Sequence, residues 1–129
     1  MSQKSHHTHC PCQKDTNLEY PHCCGLYIDQ KQIPMNAEIL MRSRYTAYVM
    51  ENQEYLLQTW HPSTRPMQLD FEPTKWIGLT VHSHTQSDET HAQVTFSARY
   101  KVNGKAFKMH ECSSFIQEYG QWFYIDGDY

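Results

Sequence analysis

At 129 residues the chain has the length of one domain, enough to bury about two-thirds of its unfolded surface in a single core. A net charge of −3 and a pI near 6.3 supply no global field for capturing a nucleic-acid backbone, and no run approaches the roughly 18 apolar residues of a membrane span. Five cysteines are an odd number for a secreted disulfide scaffold, and residues 1–14 hold no apolar run resembling a signal peptide, so the expected compartment is the cytoplasm, where thiols stay reduced.

Residues 1–9 are polar, His-rich and without periodicity, which predicts no ordered element unless a metal recruits them. Four of the five cysteines then fall in two tight pairs, Cys10 with Cys12 and Cys23 with Cys24, separated by the ten residues Gln13 to His22. Four thiolates suit a tetrahedral cation, and a closed sulfur shell is a structural rather than a catalytic zinc arrangement. Two disulfides, a redox thiol pair and an iron–sulfur cluster are the competing readings; C-x-C and C-C lack the C-x-x-C spacing of thioredoxin-like sites. His6, His7, His9 and His22 crowd the same stretch and offer a nitrogen in place of one sulfur. Adjacent cysteines can face one ion only across a backbone kink, which Gly25 is expected to accommodate. A connector from Leu26 to Pro34 follows.

Asn36 is placed as a helix N-cap, and Ile39, Leu40, Tyr45, Ala47, Tyr48 and Val49 repeat near helical spacing, predicting a helix over 36–49. A shorter helix is predicted over Gln53–Thr59, with a break near Asn52. Pro62 and Pro66 then end the helical part. Beyond it the period changes. Trp76, Gly78, Thr80 and His82 alternate with Ile77, Leu79 and Val81 in a strand partly buried on both sides. Val94, Phe96, Ala98 and Tyr100 form the apolar face of a second strand, and Asn103-Gly104 is a hairpin signal. In a third, Phe107, Met109, Glu111, Ser113 and Phe115 share one face, with His110 and Cys112 on the other. Tyr119-Gly120 turns the chain into a short aromatic strand over Gln121–Asp126, and Asp126-Gly127-Asp128 reads as a terminal turn rather than a cation site.

Helices followed by four antiparallel strands describe an α+β domain with the helices on one face of a curved sheet. Nine Tyr, five Phe and three Trp, mostly beyond residue 44, predict a well-filled core or an aromatic-lined cavity. The candidates for chemistry are few. Glu111 on the apolar face would be a carboxylate among hydrocarbon groups, paired with Arg42 or Arg44 as a structural tie, or else available for acid–base work. His61 follows Trp60 in a turn. Cys112 reads as a packing residue, since no cationic activator is identifiable for it. Arg42, Arg44, Arg65 and Lys75 are the only grouping that suggests nucleic-acid contact, against the overall charge.

Several runs carry a resemblance: Leu40-Met41-Arg42-Ser43-Arg44-Tyr45-Thr46-Ala47-Tyr48-Val49, Thr59-Trp60-His61-Pro62-Ser63-Thr64-Arg65-Pro66, Trp76-Ile77-Gly78-Leu79, Phe96-Ser97-Ala98-Arg99-Tyr100 and Trp122-Phe123-Tyr124-Ile125-Asp126-Gly127-Asp128. From about Cys10 to Asp128 the chain resembles the YchJ family (UPF0225) of small bacterial proteins. Its cysteines are similar to the SEC-C motif, the zinc-binding element at the tail of the SecA translocation ATPase. The resemblance implies structural zinc on Cys10, Cys12, Cys23 and Cys24 in an element over residues 1–30. It implies a nuclear transport factor 2-like (NTF2-like) cone over 31–129, in which a curved sheet wraps its helices.

No reaction is implied. The resulting expectation is a zinc-stabilised binding protein, with a protein partner at the zinc element and a small ligand in the cone; the alternative is a small-molecule enzyme with Glu111 or His61 as its acid–base group. An exposed sheet face makes a homodimer an expectation of the fold. This chain departs from the motif, which has eight residues between its cysteine pairs and a Gly- and Lys-rich loop. Here the loop has ten, with Lys14 its only Lys or Arg against Asp15 and Glu19. Two extra residues cost little closure entropy. Such elements in translocation ATPases are associated with the chaperone SecB and with ribosomes, which a basic surface would suit, and this loop largely lacks that charge.

Overall fold

The computed structural model describes residues 9–13 and 18–129, so His6, His7 and Lys14 to Asn17 lie outside the described residues. A bridge between His9 and Glu19 brings the two cysteine pairs together. A 3₁₀ turn over Tyr20–His22 and a single helical turn, α1 (Gly25–Ile28), follow; neither was legible in the sequence. Both are too short to show a period, and four residues cannot hold a helix without the packing around them.

The two predicted helices are present as α2 (Ala37–Val49) and α3 (Gln53–Gln58). Each begins at an asparagine whose side chain accepts from a backbone N–H three residues on, Asn36 from Ile39 at 2.9 Å and Asn52 from Tyr55 at 3.0 Å. The break between them is a left-handed Glu51, at φ 55°, with the Asn52 N–H returning to the Ala47 carbonyl at 2.8 Å. Burial on α2 reaches beyond the apolar positions to Ser43, Arg44 and Thr46. The helix is covered on two sides, by the sheet and by the cysteine element, so it shows no clean solvent stripe.

Strands β1 (Lys75–Gln86), β2 (His91–Val102), β3 (Lys105–Glu118) and β4 (Gln121–Asp128) form an antiparallel meander in the order β1-β2-β3-β4. The hairpin turns are those predicted. Asn103 and Gly104 have φ of 52° and 80°, and Tyr119 and Gly120 have 55° and 75°, the left-handed pairs that match strand twist. On the concave face Val94 lies opposite Ser113, Phe96 opposite Glu111, Ala98 opposite Met109 and Tyr100 opposite Phe107.

Strand β1 departs from the simple alternation and runs past His82. Two bulges, after Trp76 and after Val81, each insert a residue, so that Trp76, Leu79, Val81 and His84 lie opposite Tyr100, Ala98, Phe96 and Val94. Ile77 is consequently left exposed. The expected terminal turn at Asp126-Gly127-Asp128 is instead strand, paired with Ser114, Ser113 and Cys112. Among the described residues no helix is long and apolar enough to cross a membrane.

Candidate functional site

The four cysteines of the two pairs are buried, and their Sγ atoms all lie within 4.8 Å of one another. Cys12 and Cys23 approach to 3.5 Å, and no disulfide joins any of the four, which sets aside the disulfide reading. His9 and His22 are exposed, and among the described residues the cluster includes no histidine.

The kink between the adjacent cysteines falls on Cys23 itself, at φ −129° and ψ −109°, and not on Gly25 as expected. Gly25 is needed for a different reason. It is helical, and a Cβ there would stand 2.7 Å from the Tyr20 carbonyl oxygen, whose other neighbour is the Cys23 N–H. The cluster is fastened to α2 by Arg42, whose Nη1 donates to the Cys12 carbonyl at 2.9 Å, and by Thr46, whose hydroxyl donates to Cys24 Sγ at 3.2 Å.

Electrostatics argue that these sulfurs need a counter-charge. Hydrogen bonds from Cys12 and then Cys24 hold the Cys10 thiol down at about 2, so one thiolate is strongly favoured. Burial, followed by the negative charge of Cys12 and Cys10, pushes Cys23 up to about 12. Cys24 is also raised, by its hydrogen bonds to Cys10 and Cys12 and then by burial. Four thiolates cannot coexist in this space unless a cation joins them. The donor set therefore fits a metal ion.

On the opposite side of α2, between helix and sheet, lies a cavity of about 250 Å³. The cone is hollow. Met41, Arg44, Tyr45 and Tyr48 of α2 form one wall; Trp60, Trp76, Tyr124, Tyr129 and residues of β2 and β3 form the rest. Its two charged lining residues are Arg44 and Glu111, both nearly inaccessible at 5% and 6% exposure. Ser113 and Tyr124 donate to Glu111 Oε2, the former in a short hydrogen bond and the latter at 3.4 Å. Burial and then the Glu111 charge push the Tyr124 phenol upward, keeping it protonated and a donor.

Residues 36–127 match the family description "YchJ, middle NTF2-like domain". The chain belongs to the YchJ family. A UPF0225 protein of Cupriavidus pinatubonensis is 52% identical over 128 residues, covering 94% of this chain and 88% of that one. One of Polaromonas naphthalenivorans is 46% identical, covering 94% and 97%. Two solved structures, both described as SEC-C motif containing proteins, share the fold with TM-scores of 0.79. One, from Rhodopseudomonas palustris, is 27% identical over 89% of this chain and 94% of its own. The other, from Psychrobacter arcticus, is 32% identical over 91% and 80%. The fold of this YchJ protein is thus shared with two proteins described as containing a SEC-C motif.

The remaining sequence candidates separate in space. The expected pair between Glu111 and an arginine does not form. Arg42 binds Glu38 at 3.0 Å and the cysteine element, while Arg44 donates to the Leu56 carbonyl and the Thr59 hydroxyl. His61 is not in the cavity wall. Its Nδ1 accepts from the Ser63 N–H, which leaves the ring proton on Nε2 to donate to Glu118 at 2.9 Å, a clamp between the proline-rich turn and the end of β3. His110 faces outward as predicted and meets Ser97, which also contacts His82. Cys112 sits beside Asp128 on that same outer face, away from both the cavity and the cysteine cluster. Sequence reasoning did not single out Thr46, Trp60 or Tyr124 for the sites they serve. The available signal was the helical spacing of Arg42 to Thr46 against that of Met41, Arg44, Tyr45 and Tyr48, two stripes of one helix.

Proposed function

We propose that this protein is a zinc-stabilised ligand-binding protein, in which Cys10, Cys12, Cys23 and Cys24 hold a structural Zn²⁺ and the NTF2-like cone is the cup. Zinc at about 2.3 Å from each of four thiolates places the sulfurs about 3.8 Å apart, and the cluster is drawn together on that scale. With four protein ligands no position is left for a substrate, so the ion's chemistry is that of a staple. The observation that carries the reading is the double use of α2. Arg42 and Thr46 grip the cysteine element on one side, while Met41, Arg44, Tyr45 and Tyr48 wall the cavity on the other. Residues 1–30 then act as a brace for the cup formed by 31–129.

A second reading, catalysis in the cone, retains Glu111, which lines the cavity, and loses His61, which is committed to Ser63 and Glu118.

Elemental analysis of the purified chain is expected to give one equivalent of zinc, and the Cys10→Ser/Cys12→Ser variant none. At free zinc 100-fold above Kd the ion contributes about 2.7 kcal/mol. The variant melts lower, while far-UV circular dichroism retains the sheet. Metal-free protein from chelator-free purification, or a double variant that keeps its zinc, overturns the reading.

A further inference from the structure

The charge inside the cone is laid out so as to narrow the ligand. Arg44 is held by two acceptors that both engage Nη1, the Leu56 carbonyl at 2.8 Å and the Thr59 hydroxyl at 2.7 Å. Its Cζ lies 5.0 Å from the Trp60 ring centre and 4.5 Å from that of Tyr124. No carboxylate is within 4.0 Å of it, and Nε and Nη2 meet no acceptor among the described residues. A guanidinium carries five N–H donors in a planar fork, and its Nε–Nη2 edge matches the two oxygens of a carboxylate. That edge belongs to a residue lining the cavity.

Glu111 marks the other end of the same wall. Tyr124 stands between the two charges, its ring against the guanidinium and its hydroxyl on the carboxylate. Anchor and counter-anchor therefore both touch the same phenol, one at its ring and one at its hydroxyl. The Glu111 carboxylate meets only neutral donors, Ser113, Tyr124 and the Tyr129 phenol, and a carboxylate with about four lone-pair sites has acceptor capacity beyond those three.

Volume sets the size. If a cavity of ~150 Å³ holds a benzene, one of this size holds roughly ten non-hydrogen atoms. A neutral apolar ligand would displace water from the free edge of Arg44 without replacing its hydrogen bonds, and a plain cation would face a buried guanidinium. An anion with no donor would meet the Glu111 charge without compensation.

We propose that the cone binds a small aromatic carboxylate bearing a hydroxyl or amine at the far end of its ring, with the carboxylate on Arg44, the donor on Glu111 and the ring among the aromatic side chains. This rests on the reading of the cone as a ligand cup. It adds the chemical class that the cup selects.

Titration calorimetry on the full-length, zinc-replete chain tests it with four probes: 4-hydroxybenzoate, its uncharged analogue 4-hydroxybenzyl alcohol, benzoate and benzylamine. 4-Hydroxybenzoate is expected to bind at least about tenfold more tightly than the alcohol, the discrimination of one charge-assisted hydrogen-bonded contact. Arg44→Met is expected to abolish that preference. Because Arg44 is buried and its loss threatens folding, Glu111→Gln serves as an independent variant. It should narrow the gap between 4-hydroxybenzoate and benzoate by raising benzoate affinity.

Equal binding of acid and alcohol overturns the assignment, as does a benzoate affinity that Glu111→Gln leaves unmoved. Preference for benzylamine overturns it while leaving the cup in place. Binding of none of the four overturns it as well, and the zinc content and melting temperature of the same samples report separately on the zinc-stabilised reading.

Discussion

Gly127 is placed where the position of Glu111 can be measured through stability. A Cβ built on Gly127 would stand 2.6 Å from Glu111 Cδ and 2.9 Å from its Cγ, closer than nonbonded carbons approach. The Gly127 backbone has no positive φ, so alanine is disfavoured by the neighbour and not by the conformation. Gly127→Ala must therefore drive the carboxylate off Ser113 and Tyr124. Overpacking typically costs 1–3 kcal/mol and a lost hydrogen bond to a charged group about 1.5–3, so a combined cost of about 2–4 kcal/mol is expected after partial relaxation. For a domain of this length that lowers Tm by roughly 8–16 °C. The assay is a double-mutant cycle by denaturant unfolding. In the Glu111→Ala background the clash disappears, and Gly127→Ala should become neutral or stabilising by about 0.4–1 kcal/mol through the unfolded chain. An equal cost in both backgrounds would refute the placement of Glu111 against β4.

Thr46→Val keeps the volume of the side chain and deletes the hydroxyl that donates to Cys24 Sγ; loss of such a supporting contact is expected to weaken zinc retention about 10–100-fold in a competition with a chromogenic chelator, with little change in the spectrum of the fold. Asp88 in the β1–β2 turn accepts from the Thr90 N–H and from His91, and these hold its carboxyl down at about 2 from 3.8. A folded value below the unfolded one means its contribution to stability is complete above about pH 4 and disappears as pH falls through 2, so its NMR titration midpoint should lie well below that of an unstructured aspartate.

Local rules carried the fold where neighbouring residues decide the geometry. Asn36 and Asn52 cap their helices because a short acceptor three residues before a backbone N–H needs nothing else. Asn103-Gly104 and Tyr119-Gly120 turn because only left-handed pairs match the strand twist. The concave face of β3 was readable through Glu111, a polar residue in phase with Phe107, Met109 and Phe115. Strand β1 was not, because each bulge inserts a residue that no alternation rule anticipates, and its location is fixed by the partner strand. The cysteine cluster was legible as ligand chemistry, whereas its attachment was not. Arg42 to the Cys12 carbonyl and Thr46 to Cys24 join residues thirty and twenty-two positions apart in the chain. The same holds for Arg44: the place of Glu111 on an apolar strand face suggested it as a partner, and tertiary packing supplied Leu56, Thr59 and two aromatic rings instead.

A hollow cone with a buried guanidinium is costly to keep. Moving an arginine out of water carries a penalty of several kcal/mol, and a cavity lined by aromatic rings forgoes the contacts that a filled core would make. Both costs fall on α2, which carries Arg44 and one wall of the cavity, and on its junction with α3, where Ser43 and the Tyr55 hydroxyl meet at 2.7 Å. The cysteine element grips the other side of that same helix. Binding free energy released by four thiolates on one ion is folding free energy for whatever the ligands are packed against. On the proposed reading, a metal staple on the back of α2 would offset the destabilisation that the cup imposes on its front, so metal loss should loosen the ligand site before it unravels the sheet.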